Sequence, residues 1–244
     1  MSSRLKFFLS HLAISFVIAF FVIGIVFFVW YPYPLAKAAG VTQLFLMMLT
    51  IDVIIGPLLG LIVYKQGKKT LKMDLGVIIL LQIAALCYGI YSIEQGRPVW
   101  VSYVVDRFEL VRNNDLINDK ADQALPQFQN PSWLQPQYVA VKVSDNVNQR
   151  NNDLFAEVMG GISLAQRPER YVELSEVKSL IQQRAQDLEL LKNFNDSDQV
   201  EKVLAKYPTA TAFVPLKANA VDMTVLINKE KGEVVEIVDL RPWK

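Results

Sequence analysis

The 244 residues allow one or two domains, and their composition places them in two different solvents: 52% are hydrophobic, 20% are charged, and the mean hydropathy is +0.24. The net charge of +1 conceals a split: residues 1–93 hold seven cations (Arg4, Lys6, Lys37, Lys65, Lys68, Lys69, Lys72) against Asp52 and Asp74, whereas the rest hold eighteen cations against twenty-two acids. One cysteine excludes an intrachain disulfide, one histidine excludes a His-rich metal site, and there is no basic stripe of the kind nucleic-acid binding needs.

Three apolar segments follow in chain order, from about Phe7 to Trp30, Leu44 to Tyr64 and Leu75 to Ile93. A hydrocarbon core of roughly 30 Å takes about 20 helical residues, so each is expected to span a bilayer. Trp30, Tyr31, Tyr33, Tyr64, Tyr88 and Tyr91 lie near the span ends, where amphipathic rings prefer to sit. Arg4 and Lys6 followed by Ala36-Lys37-Ala38 resemble a signal peptide and its cleavage site. The apolar stretch between them is too long for a signal h-region of about 7–15 residues, and retention as a true span is expected.

Lysines in short loops set the orientation. Lys65, Lys68, Lys69 and Lys72 crowd the second loop and the first holds only Lys37, which predicts a cytoplasmic N-terminus and lysine loop. The loop's simplest role is to set topology; contact with anionic lipid or a cytoplasmic motor component is the alternative. Three spans then carry everything after Ile93 outward, which for a bacterial inner membrane means the periplasm. Cys87 falls inside the third span, so that outward part has no thiol to oxidise.

From Glu94 the composition is that of a globular domain. Val99–Val111 reads as one strand, Asn113–Pro136 as a long loop, Tyr138–Val143 as a strand, and Asp153–Met159 as a helix ended by Gly160-Gly161. Val177, Leu180, Ile181, Leu188 and Leu191 recur at three- and four-residue spacings. They predict one helix from an N-cap at Ser175 to about Phe194. Asp196 caps a short helix that Pro208 stops. Strands follow over Thr211–Leu216, Val221–Ile227 and Val234–Leu240, the last two flanking a hairpin turn at Lys229–Gly232. The fold class expected is three transmembrane α-helices (residues 1–93) followed by a soluble periplasmic α+β domain (residues 94–244). From about Arg97 onward the domain is expected to fold alone. There is no internal repeat and no low-complexity tract.

Asp52 is the most informative residue. It lies eight residues into its span, about 12 Å deep at 1.5 Å per residue. An ionisable group there costs about 2.5–3.5 kcal/mol on insertion scales and usually faces protein or water. Gly56 and Gly60 follow at four-residue steps on the same face, a Gly-x-x-x-Gly surface for close helix packing, and Pro57 can free a backbone carbonyl beside them. This face is either an internal seam among the three spans or a groove that receives a partner's helix. An aspartyl-protease dyad is excluded, because Asp74, the other acid of this part, sits roughly 18 Å away in depth. His11, near the inner interface, is expected to be solvated. The soluble part has no histidine, no phosphate loop and no metal-ligand spacing. Neither catalysis nor a cofactor is expected.

Several runs are similar to a known family: FFVWYPYPL at Phe27–Leu35, AGV at Ala39–Val41, DVIIGPLLGLIVYKQGKKTLKMDLGVIILLQ at Asp52–Gln82, YGIYSIEQGRPVW at Tyr88–Trp100 and DRFELV at Asp106–Val111. Together they resemble the TfpX/TfpZ family of type IV pilin accessory proteins, densely over about the first 112 residues. The resemblance departs at Gln66, where the family commonly has Pro, and at Gly60, where a larger residue is common. It implies an inner-membrane accessory or chaperone-like factor whose partner is a type IV major pilin, with other pilus assembly components as further partners. Such a pilin keeps an apolar N-terminal helix in lipid and a globular head outside, which a bundle carrying an outward domain matches. No catalytic residue is carried over. The alternatives are a membrane-anchored periplasmic sensor or ligand-binding module and a pilin-modifying enzyme. The short inside segments argue against the first, and the missing catalytic constellation against the second.

Overall fold

The computed structural model describes residues 1–144 and 146–244. Among the described residues, three helices are long and apolar enough to cross a membrane. The first, α1 (Ser3–Ile25), starts at Ser2, whose side chain accepts from the Leu5 amide, and runs on through a π-helical turn to Trp30. A four-residue helix, α2 (Leu35–Ala38), lies in the first loop; then come α3 (Val41–Val63) and α4 (Leu71–Gln95). Gly40, at φ +75°, turns the chain into α3. Pro57 does not break α3. α3 packs along both α1 and α4, and most large apolar side chains of all three face outward, as lipid requires.

Among the described residues, seven strands form one mixed sheet in the order β4-β3-β1-β2-β5-β6-β7: β1 (Pro98–Val104), β2 (Arg107–Arg112), β3 (Gln137–Val141), β4 (Tyr171–Val172), β5 (Ala212–Lys217), β6 (Met223–Asn228) and β7 (Glu233–Val238). β1 pairs with β2 antiparallel and with β3 parallel. β2 meets β5 through a short parallel contact, and β5, β6 and β7 form a meander. The arrangement is α+β, as the element pattern predicts.

Three elements differ from the sequence reading. Val99–Val111 is a hairpin, not one strand; the turn is made at Val105, which adopts φ +57° without glycine. The helix read as Asp153–Met159 begins earlier: α5 (Val147–Gly160) is capped by the Asn146 side chain and ended by Gly161 at φ +65°. The helix expected from Ser175 to Phe194 is broken. A 3-10 turn leads into α6 (Lys178–Arg184), Gln186 then bridges Phe213, and a second 3-10 segment covers Leu188–Asn193. The break has a packing cause. Ile181 and Ala185 enter the core on one sheet face with Val214 and Val225, while Leu191 enters the core on the other with Phe213 and Leu226. No straight helix reaches both. Asp196 caps α7 (Ser197–Leu204), accepting from Gln199 at 3.0 Å, as expected.

The sheet core is not closed by the residues after Arg97 alone. Leu35 and Ala38 of α2 are buried against Val101, Tyr103 and their neighbours, and the Ala38 carbonyl accepts from the Ala220 and Val221 amides at 2.9 and 3.2 Å. The first loop is therefore part of the soluble domain's core.

Candidate functional site

Inside the bundle the polar groups gather on Gln82 of α4. Its Nε2 donates to the Asp52 backbone carbonyl of α3 at 3.0 Å and to Ser15 Oγ of α1 at 3.1 Å, and its Oε1 lies 2.9 Å from His11 Nε2. A single amide in hydrocarbon thus finds partners on both neighbouring helices, which satisfies groups that lipid cannot. His11 is part of this network and packs edge-on against Phe7, rather than standing solvated at the interface.

The glycines explain how the helices come so close. A Cβ on Gly56 would run into the Gln82 amide, and one on Gly60 would come within 2.9 Å of the Phe7 ring and 3.6 Å of His11 Nδ1. Gly56, Pro57 and Gly60 are all buried, and both glycines face helices of this same chain. Asp52, on the same side of α3 but only half-buried, lies at the floor of a cleft of about 190 Å³. Ile14 and Ile18 of α1 form one wall; Ile79, Ile83 and Leu86 of α4 form the other. The structure therefore brings Asp52, Gly56 and Gly60 to one face as the spacing predicts, but divides their surroundings. The sequence reading missed Gln82, Ser15 and Gly89, the last of which receives the Met48 side chain. Gln82 did carry a signal, an amide inside an otherwise apolar run.

The lysine loop is apart from this site. Lys68 pairs with Asp74 at 2.6 Å, and Lys65, Lys69 and Lys72 are exposed or half-exposed around it.

Bundle and sheet meet in a dense joint. Tyr31 is buried and donates to the Ile93 carbonyl at 2.8 Å; burial pushes its phenol well above the ordinary value, so it remains a donor. Lys37 pairs with Asp239 at 2.6 Å, tying the first loop to the end of β7. Arg97, buried at the start of β1, pairs with Glu94 at 3.0 Å and donates to the Ser132 carbonyl at 2.8 Å.

At the other end of β3 lies α5, whose amphipathicity is inverted. Its acids point inward: Asp153 is bonded to Arg170 and lies 3.7 Å from Arg167, and Glu157 reaches Arg107. Behind them Arg107 holds Glu109 at 2.9 Å, and Ser163 donates to the same buried carboxylate at 2.7 Å. Leu154, Phe155, Val158 and Met159 face outward, Phe155 at 67% and Val158 at 72% exposure. Among the described residues no group of three or more His, Cys, Asp or Glu side chains is placed to hold a metal ion.

The family model described as Fimbrial assembly protein FimB matches residues 1–40. Two fimbrial assembly proteins of Dichelobacter nodosus, of serogroups E1 and I, are each 31% identical over 229 residues, which is 90% of this chain and 88% of theirs. The fimbrial assembly protein of serogroups C1 and C2 from the same organism is 36% identical over 116 residues, 47% of this chain and 88% of its own. No solved structure matches. A likeness at this level takes in both the bundle and the sheet: the chain belongs to the fimbrial assembly protein family, and its role lies in pilus assembly.

Proposed function

We propose that the protein is a non-catalytic, chaperone-like accessory factor of the TfpX/TfpZ kind, which sits in the inner membrane with its sheet domain in the periplasm and holds a type IV major pilin before assembly. The observation that carries this reading is the inverted face of α5. A helix tied down by its charged side and open on its apolar side is a surface for another protein, since soluble domains rarely leave such a stripe bare. The relatives' role in fimbrial assembly makes the fimbrial subunit the partner of choice.

The second contact lies in the membrane. The cleft between α1 and α4 offers apolar walls and a polar floor at Asp52 and Gln82 to the apolar helix that the family resemblance gives to a pilin. Close packing and a few polar groups are what distinguish one apolar helix from another in lipid. Gly56, where a Cβ would meet the Gln82 amide, and Gly60, where one would meet the Phe7 ring, keep the helices close beside this floor, with Pro57 buried between them on α3.

Photo-crosslinking in cells tests the reading. A photoreactive residue at Phe155 or Val158 is expected to capture the major pilin, and one at Glu189, exposed in the 3-10 segment after α6, is not. Absence of pilin from the α5 adducts, or equal capture at Glu189, overturns it.

A further inference from the structure

The segment Pro131–Pro136 joins the Phe128 turn to β3 and leaves two large apolar side chains uncovered, Trp133 at 56% and Leu134 at 57% exposure. It is held from both sides by span ends. The Trp133 ring packs edge-on against Trp30, the last residue of the first span, with ring centroids 5.5 Å apart. Arg97, two residues beyond the third span, donates to the Ser132 carbonyl at 2.8 Å. Ser132 Oγ accepts from the Leu134 amide at 3.2 Å, which tightens the turn. Tyr33, also strongly exposed, lines a shared pocket with Gln135 and Pro136.

We propose that this loop is a membrane anchor that inserts Trp133 and Leu134, with Tyr33 beside them, into the headgroup–acyl boundary on the sheet-domain side of the bilayer. The occupant is lipid because the loop is fixed to the ends of two spans, and those ends mark where the hydrocarbon stops. A Trp at that level buries its ring in the boundary and keeps its indole N–H for headgroup or water oxygens. The anchor has a mechanical consequence. β3 follows directly on the loop, and just beyond it the Lys142 amide donates to the carbonyl of Arg170, which holds Asp153 of α5, so the lipid contact bears on the tilt at which α5 is carried. The inference is independent of which protein α5 binds.

The test uses the full chain in nanodiscs. With Cys87→Ser as background, a nitroxide is placed at Leu134→Cys and, as a control, at Leu190→Cys, which is exposed in the 3-10 segment after α6. The Leu134 label is expected to be relaxed more strongly by oxygen than by a water-soluble nickel chelate, and the Leu190 label to show the reverse. A Leu134 label as open to nickel as Leu190 overturns the anchor. A second measurement needs no label: the emission lost in Trp133→Phe is expected to be blue-shifted and quenched by lipids brominated near the headgroup. If that emission is instead quenched by aqueous iodide and untouched by bromolipid, the proposal falls.

Discussion

The Gln82 side chain of α4 lies over Gly56 of α3, and it is this contact that lets its amide reach the Asp52 carbonyl at 3.0 Å. Any side chain at Gly56 would push Gln82 away and with it the bonds to Ser15 and His11. Interhelical hydrogen bonds in lipid average about 0.6 kcal/mol, so three of them contribute about 2 kcal/mol, less than the packing they accompany. We therefore expect Gly56→Leu to prevent the bundle from closing and the protein from accumulating. Gln82→Leu, which fills the same space without the bonds, should accumulate but unfold several degrees lower in detergent. Normal levels and an unchanged melting curve for Gly56→Leu would refute the seam.

The bundle was legible in the sequence to an extent the sheet was not, for a physical reason. A span announces itself by length and apolarity alone, and the helix-face rule places Asp52, Gly56 and Gly60 together on α3 without any knowledge of the neighbours. What that rule cannot say is which helix faces which, so Gln82 and Ser15, on two other helices, were not connected to it. In the sheet domain the hairpin at Val105 was hidden because no Gly, Asn or Pro marks it. The helix predicted through Leu191 was misled by spacings that serve two different sheet faces. The inward acids of α5 are likewise unreadable without their arginines.

The first loop supplies part of the sheet's core, which alters the expectation that residues from Arg97 fold alone. Fully burying a leucine is worth about 1.5–3 kcal/mol, and Leu35 is 3% exposed against the core. A fragment of residues 97–244 should keep α+β circular dichroism but melt well below the sheet domain of the full chain and bind a hydrophobic dye over the uncovered Val101 and Tyr103. In the full chain, Leu35→Ala should cost about 2–3 kcal/mol. A fragment as stable as the intact protein would show that the loop merely rests on the sheet.

The mooring of α5 predicts opposite outcomes for its two sides. Asp153 is nearly buried between Arg167 and Arg170, and removing one partner of such a group costs about 3–5 kcal/mol. Asp153→Ala should loosen α5, seen as faster hydrogen exchange and proteolysis across Val147–Gly160. Phe155→Ser, on the open side, should alter stability by no more than about 0.5 kcal/mol while lowering pilin capture. Equal destabilisation by both would mean that the apolar side is covered within the chain.

The proposed orientation is directly testable. A reporter active only in the periplasm should be active when fused after Lys244 and silent when fused after Lys69, since four lysines in one short loop (Lys65, Lys68, Lys69 and Lys72) favour its retention on the inside. The reverse pattern would put the sheet domain in the cytoplasm, where it could not meet a pilin head.

The proposed membrane contact with the client separates from the seam at a single step of the helix. Asp52 is half-buried and lines the cleft between α1 and α4, whereas Gly56, one turn on, is enclosed by Gln82. Replacing the carboxyl of Asp52 with a leucine removes a polar group from the cleft floor but leaves its backbone carbonyl free to accept from Gln82. Asp52→Leu should therefore accumulate normally, keep the bundle's melting point within a few degrees, and still lose pilus assembly and pilin crosslinking per molecule. Asp52→Asn should be milder, because an amide can still hydrogen-bond a polar group on the client helix. Gly56→Leu should lose crosslinking only in proportion to its own abundance. Should Asp52→Leu crosslink pilin as well per molecule as the unaltered protein, the cleft is not the client's seat and Asp52 belongs to the seam alone.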